Sequence, residues 1–119
     1  MKIAISVRGD LLESDLDPSF GRAPKFLLFD NETHAFTVYD NTTNVNAAQG
    51  AGIQAAEAVI RLGATAVITD QAGPKAFKAL NTGGVRIFLA SALRNSVEAI
   101  AAMEKGELVE ISSETRQGH

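Results

Sequence analysis

Short hydrophobic runs typical of β-strands alternate with helix-like segments along most of this 119-residue chain. The first run, Lys2–Arg8, alternates apolar and polar residues as a half-buried strand does. Lys25–Asp30 is continuously apolar at its centre, the pattern of a strand covered on both faces. From Gly50 the apolar residues recur at helical spacing until Gly63 stops the helix. The predicted order is βββαβαβα, with strands at Lys2–Arg8, Lys25–Asp30, Ala35–Asp40, Ala64–Thr69 and Val85–Ala90, and helices at Gly50–Gly63, Pro74–Thr82 and Asn95–Gly106.

The connections between these elements predict the layout of the sheet. Only the polar segment Asn31–His34 separates the second and third strands, which indicates a hairpin. The later strands follow helical crossovers, so strands four and five should run parallel to strand three and, by inference, to strand one. Helices must then cover both faces. We predict one three-layer α/β/α domain over 1–111, with a mixed five-stranded sheet whose second strand is antiparallel, and a polar tail over 112–119. Glu107–Ile111 shows a weaker strand pattern, suited to a sheet edge.

The composition excludes several classes of protein. The chain has no cysteine, which rules out disulfides, thiolate nucleophiles and cysteine-held metal clusters. Its formal net charge is −3 and no cluster of Lys and Arg covers a face, so we expect no nucleic-acid partner. No apolar run approaches membrane-spanning length, and the hydrophobic start is too short for a signal peptide. We therefore expect a cytoplasmic protein without a membrane partner.

The segment Asp17–Phe26 predicts a loop of fixed shape. Its two prolines restrict the backbone, and Gly21 permits a conformation that a side chain would forbid. In open α/β sheets, ligands bind beyond the carboxyl ends of the parallel strands. The loop should therefore meet the segments that leave strands three, four and five. The converging segments are Gly9–Pro24, Thr42–Gly52, Asp70–Pro74 and Ser91–Asn95.

The chemistry at this edge of the sheet favours an anion. Three of the four segments open a helix, and a helix start offers unpaired N–H groups and the positive end of the dipole. Gly50, Gly52 and Gly73 allow a ligand to approach the backbone, and Arg22 and Arg94 add full charges. The glycines match neither a dinucleotide-binding fingerprint nor a phosphate loop, and, taken by themselves, they favour service as helix caps alone over a binding role.

The chain offers few groups for catalysis. Ser6, Ser19 and Ser91 have no histidine placed to act as their base. His34 is predicted at the opposite end of the sheet, and His119 ends the polar tail. We therefore expect no catalytic residue and no metal ion ligated by the protein.

Four motifs occur along the chain in a specific order. They are the start Met1–Ile5, the loop Asp17-Pro18-x-Phe20-Gly21-Arg22-x-Pro24-x-Phe26, the helix start Gly50–Glu57 and the turn Gly73–Phe77. Together they resemble the dinitrogenase iron–molybdenum cofactor biosynthesis family, which includes NifX-like carriers, the carboxy-terminal domain of NifB and a small orange protein that holds a molybdenum–copper sulfide cluster. The resemblance runs from residue 1 to the turn at Gly106–Leu108. It implies a ribonuclease-H-like fold, for which we expect the strand order 3-2-1-4-5.

The resemblance also implies non-covalent binding of an anionic metal–sulfur cluster, of the iron–molybdenum type or another molybdenum–sulfur type, or of its precursor. Arg22 and the helix starts at Gly52 and Gly73 would line the pocket. The chain departs from some relatives because it has no cysteine and no histidine within Asn44–Gly52. Charge and hydrogen bonds would therefore hold the cluster. The candidate cofactor-binding residues are Phe20, Gly21, Arg22, Gly50, Gly52, Gly73, Ser91 and Arg94.

Three functions stay open at this point. The first is a non-catalytic carrier or chaperone for such a cluster, related to nitrogen fixation, with cofactor-assembly proteins as partners. The second is a cofactor-free interaction or regulatory module on the same fold. The third is a metal-dependent nuclease in which Asp10, Asp70 and Glu57 hold a divalent ion, although the first strand carries no carboxylate. We expect the first.

Overall fold

The computed structural model describes residues 1–46, 50–90 and 93–111. Every predicted strand and helix is present in these ranges, and only the ends differ. A four-residue helix after the third strand was not predicted, because it is too short to show a periodic pattern. The polar tail over 112–119 lies outside the described residues. The elements are β1 (Lys2–Val7), β2 (Lys25–Asp30), β3 (Phe36–Asp40), α1 (Thr42–Val45), α2 (Ala51–Arg61), β4 (Ala64–Thr69), α3 (Pro74–Thr82), β5 (Arg86–Leu89), α4 (Ser96–Glu104) and β6 (Glu110–Ile111).

Within the described ranges, the sheet has six strands in the order β3-β2-β1-β4-β5-β6. The first five stand in the predicted order, with β2 antiparallel to both neighbours and β4 and β5 parallel to β1. The predicted count of five is wrong by one strand. Ile111 pairs with Ile87, and Glu110 pairs with Phe88, so β6 closes the edge beside β5. Two residues are too few for a strand pattern to be recognised with certainty in the sequence.

An ion pair accompanies the pairing of β6 with β5. The Arg86 guanidinium donates two hydrogen bonds to the Glu110 carboxylate, at 3.0 and 2.7 Å. These bonds lower the pKa of Glu110 below its usual range. Both side chains are largely exposed, so the pair itself contributes little to the free energy of unfolding.

The core is divided between the two faces of the sheet, as three layers require. On one face, buried residues of β1, β2 and β4 pack under α2 and α3, with Phe77 and Leu80 on the helix side. On the other face, Ile3, Ile5 and their neighbours pack against α4 and the loop before β2. The four central residues of β2 divide two and two between the faces, which explains why that strand is continuously apolar.

The chain signals that begin and end the helices are those the sequence predicts. Pro74 occupies the start of α3, and the Asn95 side chain accepts a hydrogen bond from the Glu98 N–H at 2.9 Å to cap α4. The Glu98 carboxylate accepts from the N–H of Arg94, the residue before the cap, whereas in a capping box it would accept from the N–H of the cap residue itself. Among the residues described, no helix is both long enough and apolar enough to cross a membrane.

Candidate functional site

A cavity of about 780 Å³ lies beyond the carboxyl end of β4, at the edge of the sheet where the strand directions predict a ligand. Of the described residues, three segments line it: part of the loop before β2, residues 50–53 at the start of α2, and residues 71–76 leading into α3. The cavity lies on the face of the sheet that α2 and α3 cover. It gathers five of the predicted site residues, namely Gly21, Arg22, Gly50, Gly52 and Gly73.

The segment Asp17–Pro24, which ends at β2 and is called the Arg22 loop below, is joined by main-chain hydrogen bonds to the connection between β4 and α3. The N–H of Phe20 donates to the carbonyl of Gln71 at 2.8 Å, and the N–H of Gln71 donates to the carbonyl of Pro18 at 2.7 Å. Ser19 and Gln71 thereby form a parallel bridge outside the named strands. The loop is therefore held in register with the segment that opens α3.

Phe20 anchors this loop from below. Its side chain is fully buried, and its ring centroid lies 5.0 Å from that of Phe26 in the core under α2 and α3. It does not line the cavity, which corrects the prediction of Phe20 as a cofactor contact. A phenylalanine ring contributes more to the free energy of unfolding when it is buried in the core than when it lines a water-filled cavity.

Close backbone packing explains Gly21 and Gly52. A Cβ added at Gly21 would lie 3.0 Å from the Cα of Gly52, and one added at Gly52 would lie 3.0 Å from the Cβ of Ala76. The loop therefore rests directly on the first turn of α2, which rests on the first turn of α3. These two glycines bring the three walls of the cavity together.

Gly50 and Gly73 serve the cavity differently. Gly50 precedes α2 with φ of +79°, a left-handed conformation that favours glycine. Gly73 precedes α3 in an extended conformation, and a Cβ there would meet no atom within 4 Å. Gly73 therefore leaves open space above the start of α3.

Replacing Gly21 with alanine should destabilise the fold. The new methyl group would press on backbone atoms of Gly52, and overpacking of this kind costs about 1 to 3 kcal/mol of the free energy of unfolding. Urea denaturation followed by circular dichroism measures the change. The matched control is Gly73→Ala, which has room for the methyl group and should change that free energy by less than about 1 kcal/mol. Equal effects of the two substitutions would contradict the observed packing.

Two helix starts present hydrogen-bond donors to the cavity. The first-turn N–H groups of α2, on Ala51, Gly52 and Ile53, have no intrahelical partner, and neither do those of Lys75 and Ala76 in α3. No acceptor for these groups is found among the described residues. Both helices also direct the positive ends of their dipoles at the cavity.

Two cations complete the electrostatics of the site. Arg22 and Lys75 line the cavity, whereas no described lining residue is acidic. The Arg22 guanidinium makes one long hydrogen bond, at 3.4 Å, to the carbonyl of Val45. Lys75 forms no ion pair with any described residue. Lys75 was missing from the predicted site, although it stands in the Gly73–Phe77 motif. The cavity is thus a positive site on a chain of net charge −3.

The donor set of the cavity suits hydrogen bonding and not metal ligation. Its described lining includes the hydroxyl of Ser19 and the amide of Gln71, and contains no carboxylate, imidazole, thioether or thiolate. More widely, the part of the chain that the structure describes contains no group of three His, Cys, Asp or Glu residues placed to hold a metal ion.

The carboxylates of the nuclease hypothesis do not meet in the cavity. Asp10 accepts from the Lys25 ammonium at 3.1 Å, and this hydrogen bond raises the pKa of Lys25. Glu57 lies on the wall of an adjoining groove between α2 and α3, which shares Ile53 and Lys75 with the cavity. Neither Asp10, Glu57 nor Asp70 is among the residues that line the cavity.

Two other predicted site residues stand apart from the cavity. Arg94 does not line the cavity, which corrects the prediction of Arg94 as a cofactor contact. Its guanidinium lies 3.8 Å from the carboxylate of Glu98, and its side chain is 85% exposed. Ser91 lies outside the described residues. His34, expected at the opposite end of the sheet, follows β2 and stacks on Phe29, with ring centroids 5.9 Å apart.

Comparison with known proteins identifies the family. A model of the family described as dinitrogenase iron-molybdenum cofactor matches residues 1–106. That range includes the whole lining of the cavity and all elements except β6. The chain belongs to this family.

Solved structures share the fold of this family member closely. The apo form of the orange protein from Desulfovibrio gigas is 32% identical, with a TM-score of 0.90 over 93% of this chain and 92% of that one. A NifB-like protein from Thermotoga is 29% identical, with a TM-score of 0.82 over 96% of this chain and 93% of that one.

A relative is also found by sequence alone. An uncharacterised protein of Methanocaldococcus jannaschii is 29% identical over 94 residues, which are 76% of this chain and 75% of that protein. The family and the three-layer fold expected from the sequence are confirmed.

Proposed function

We propose that this protein is a non-catalytic carrier that binds an anionic metal–sulfur cluster, or its precursor, in the cavity. The observation that carries the proposal is the lining itself. Arg22, Lys75 and the starts of α2 and α3 direct positive charge and N–H donors into one space without an opposing described carboxylate. Membership of the iron–molybdenum cofactor family and the likeness to the orange protein support a metal–sulfur cargo.

The lack of metal-ligating side chains narrows the class of cargo. Iron–sulfur clusters are ordinarily held by cysteine thiolates, and this chain has no cysteine. A cargo whose metal ions are already saturated with sulfide needs no ligand from the protein. Its terminal sulfides accept hydrogen bonds from N–H groups, and its charge is balanced by Arg22 and Lys75. We therefore propose a sulfide-terminated molybdenum–sulfur anion as the preferred cargo.

Binding of this kind is reversible, which suits a carrier. No metal–protein bond has to break when the cargo leaves, so a cofactor-assembly partner can receive it by offering stronger ligands. The proposed setting is the cytoplasm.

Titration with tetrathiomolybdate tests the proposed function. We expect saturable binding with a stoichiometry near one, seen as a change in visible absorption of the thiomolybdate. Molybdate and sulfate, which have similar charge but no sulfide, serve as control anions and should compete weakly. Affinity should fall as ionic strength rises, because exposed cations are screened. Absence of saturable binding by the folded protein would overturn the proposal.

The second candidate function is a cofactor-free interaction module, which a groove between α2 and α3 favours. The groove has a volume of about 470 Å³, and Ile53, Ile60 and Ala79 form its apolar part. Elemental analysis of protein purified without oxygen separates the two functions. Molybdenum or iron with sulfide supports the carrier, whereas metal-free protein that also ignores tetrathiomolybdate supports the module.

A further inference from the structure

Two hydroxyl groups lie buried side by side beneath the Arg22 loop. Ser6 is the second-to-last residue of β1, and Thr69 is the last residue of β4. The two residues are 1% and 2% exposed. Their oxygens are 2.9 Å apart. They lie one position beyond the registered pair Ile5 and Ile68, where the two strands run parallel. The pair therefore sits at the carboxyl edge of the sheet, directly below the loop.

Both hydroxyls reach main-chain carbonyls of the loop. Ser6 Oγ donates to the carbonyl of Asp17 at 2.7 Å, and Thr69 Oγ1 lies 3.4 Å from the carbonyl of Pro18. The Ser6 backbone carbonyl in turn accepts from the N–H of Asp17 at 2.9 Å. The Pro18 carbonyl has a stronger donor in the N–H of Gln71, at 2.7 Å, so the close approach of the loop depends chiefly on the bond from Ser6 to Asp17. Thr69 Oγ1, 2.9 Å from Ser6 Oγ, holds that hydroxyl in place. A buried carbonyl without a donor is costly, so the pair favours this position of the loop on the sheet.

The contacts continue from these hydroxyls to the cavity wall. The Pro18 carbonyl beside Thr69 also accepts from the N–H of Gln71, and Gln71 lines the cavity. The next loop residue, Ser19, lines the cavity as well, and its N–H donates to the Asp17 carboxylate at 2.9 Å. A shift of the carbonyls at Asp17 and Pro18 would therefore move both polar side chains of the wall.

A buried amide fixes the other end of the same loop. Asn41 is fully buried, and its side chain donates to the carbonyl of Ala23 at 2.8 Å while its backbone N–H donates to the carbonyl of Pro24 at 2.8 Å. Asn44 donates to the Asn41 side-chain oxygen at 2.7 Å, so Asn41 cannot turn away. Arg22 stands between the two fixed ends.

We propose that the Ser6–Thr69 hydroxyl pair positions the Arg22 loop for binding. These are positioning residues, because the cavity-lining groups, and not the hydroxyls, would contact the anion. A loop fixed before binding loses less conformational entropy when the ligand arrives, and this raises affinity without adding a contact. The buried positions two residues earlier on the same strands are the apolar Ala4 and Val67, so packing on this face of the sheet is compatible with side chains of similar size without a hydroxyl.

The inference rests on the proposed function and is tested by a matched series at one position. Thr69→Val keeps the shape but removes the hydroxyl, and Thr69→Ser keeps the hydroxyl. We expect Thr69→Val to bind tetrathiomolybdate about 3- to 10-fold more weakly, the fold-change equivalent to one neutral hydrogen bond. Thr69→Ser should restore affinity to within about 2-fold of the parent, less than the effect of one hydrogen bond. The control is Thr65→Val, an exposed position on the same strand, which should leave binding unchanged.

Hydrogen exchange gives a second readout that needs no ligand. The amides of Phe20 and Gln71, which close the loop onto the β4–α3 connection, should exchange faster in Thr69→Val than in the parent and in Thr69→Ser. Amides at the centre of β1 and β4 should keep their protection. Ser6→Ala should accelerate the same two amides, and it serves as the second variant where Thr69→Val folds poorly.

The outcomes separate this inference from the proposed function. If the parent and Thr69→Val bind tetrathiomolybdate with equal affinity, the positioning role alone is overturned. The same holds if hydrogen exchange at the amides of Phe20 and Gln71 is unchanged. No binding by the parent would overturn the proposed function, while faster exchange in Thr69→Val would still support the positioning of the loop. A loss of affinity that Thr69→Ser fails to restore would also count against the hydroxyl.

Discussion

Replacing Phe20 with alanine should lower the free energy of unfolding by about 3 to 5 kcal/mol, the range for deletion of a buried aromatic side chain. The Phe20 side chain is fully buried, and its ring packs beside Phe26 in the cluster under α2 and α3. Small domains are stable by only about 5 to 15 kcal/mol in total, so this single change should remove a large share of the stability.

Urea denaturation followed by far-ultraviolet circular dichroism measures the effect of Phe20→Ala. Phe36→Ala is the matched control, because Phe36 is 39% exposed on the edge strand β3. It should cost about 1 kcal/mol or less, as substitutions near the surface commonly do. Phe20→Leu keeps most of the buried volume and should fall between the two. Equal destabilisation by Phe20→Ala and Phe36→Ala would show that the loop is not anchored by this ring.

The strands and their order could be predicted from the sequence because the patterns are long and consistent. Lys25–Asp30 is apolar on both faces, and the structure places its side chains in both cores. The helix α1 was not predicted, and β6 was expected only as a weak edge strand within Glu107–Ile111. They have four and two residues, too few for a period to repeat. Pairing of β6 depends on Ile87 and Arg86 of a neighbouring strand, which is information that a local pattern does not contain.

The site could be predicted only to the level of the sheet edge. Strand directions correctly bring the Arg22 loop and the starts of α2 and α3 together. They do not tell on which face of the sheet a residue lies, and this is why Arg94 was misplaced. Asn95 bridges Asp15, and the Ser96 hydroxyl donates to the carbonyl of Leu12, so this segment belongs to the α4 side. The cavity lies on the other side.

Side-chain direction limits sequence reasoning in the same way. A phenylalanine in a functional loop can face a ligand or the core, and Phe20 faces the core. The glycines are similar, because Gly21 and Gly52 permit close packing of backbones that no sequence pattern specifies. Lys75 was overlooked because helix position alone does not reveal which first-turn side chains reach the cavity.

Neutralising both cations of the cavity should cause the largest loss of affinity. Arg22→Gln and Lys75→Gln should each weaken binding of tetrathiomolybdate by about 5- to 10-fold, or about 1 to 1.4 kcal/mol. This is slightly less than the roughly 1.5 to 3 kcal/mol of a charged hydrogen bond, because both groups are exposed to solvent. If the two act independently, the double variant should bind about 25- to 100-fold more weakly. Its affinity should also depend less on ionic strength than that of the parent.

The controls for this prediction remove equal charge outside the cavity. The control substitutions are Lys78→Gln and Arg94→Gln. Lys78 lies one helical turn beyond Lys75 on α3, and Arg94 pairs with Glu98 on the α4 side of the sheet. Neither residue lines the cavity, so this pair of substitutions should change affinity by less than about 2-fold through long-range charge alone. Unfolding in urea should be nearly unchanged for the cavity variants, because Arg22 and Lys75 form no ion pair with any described residue. Equal losses from the cavity pair and the control pair would mean that net charge, and not this cavity, attracts the anion.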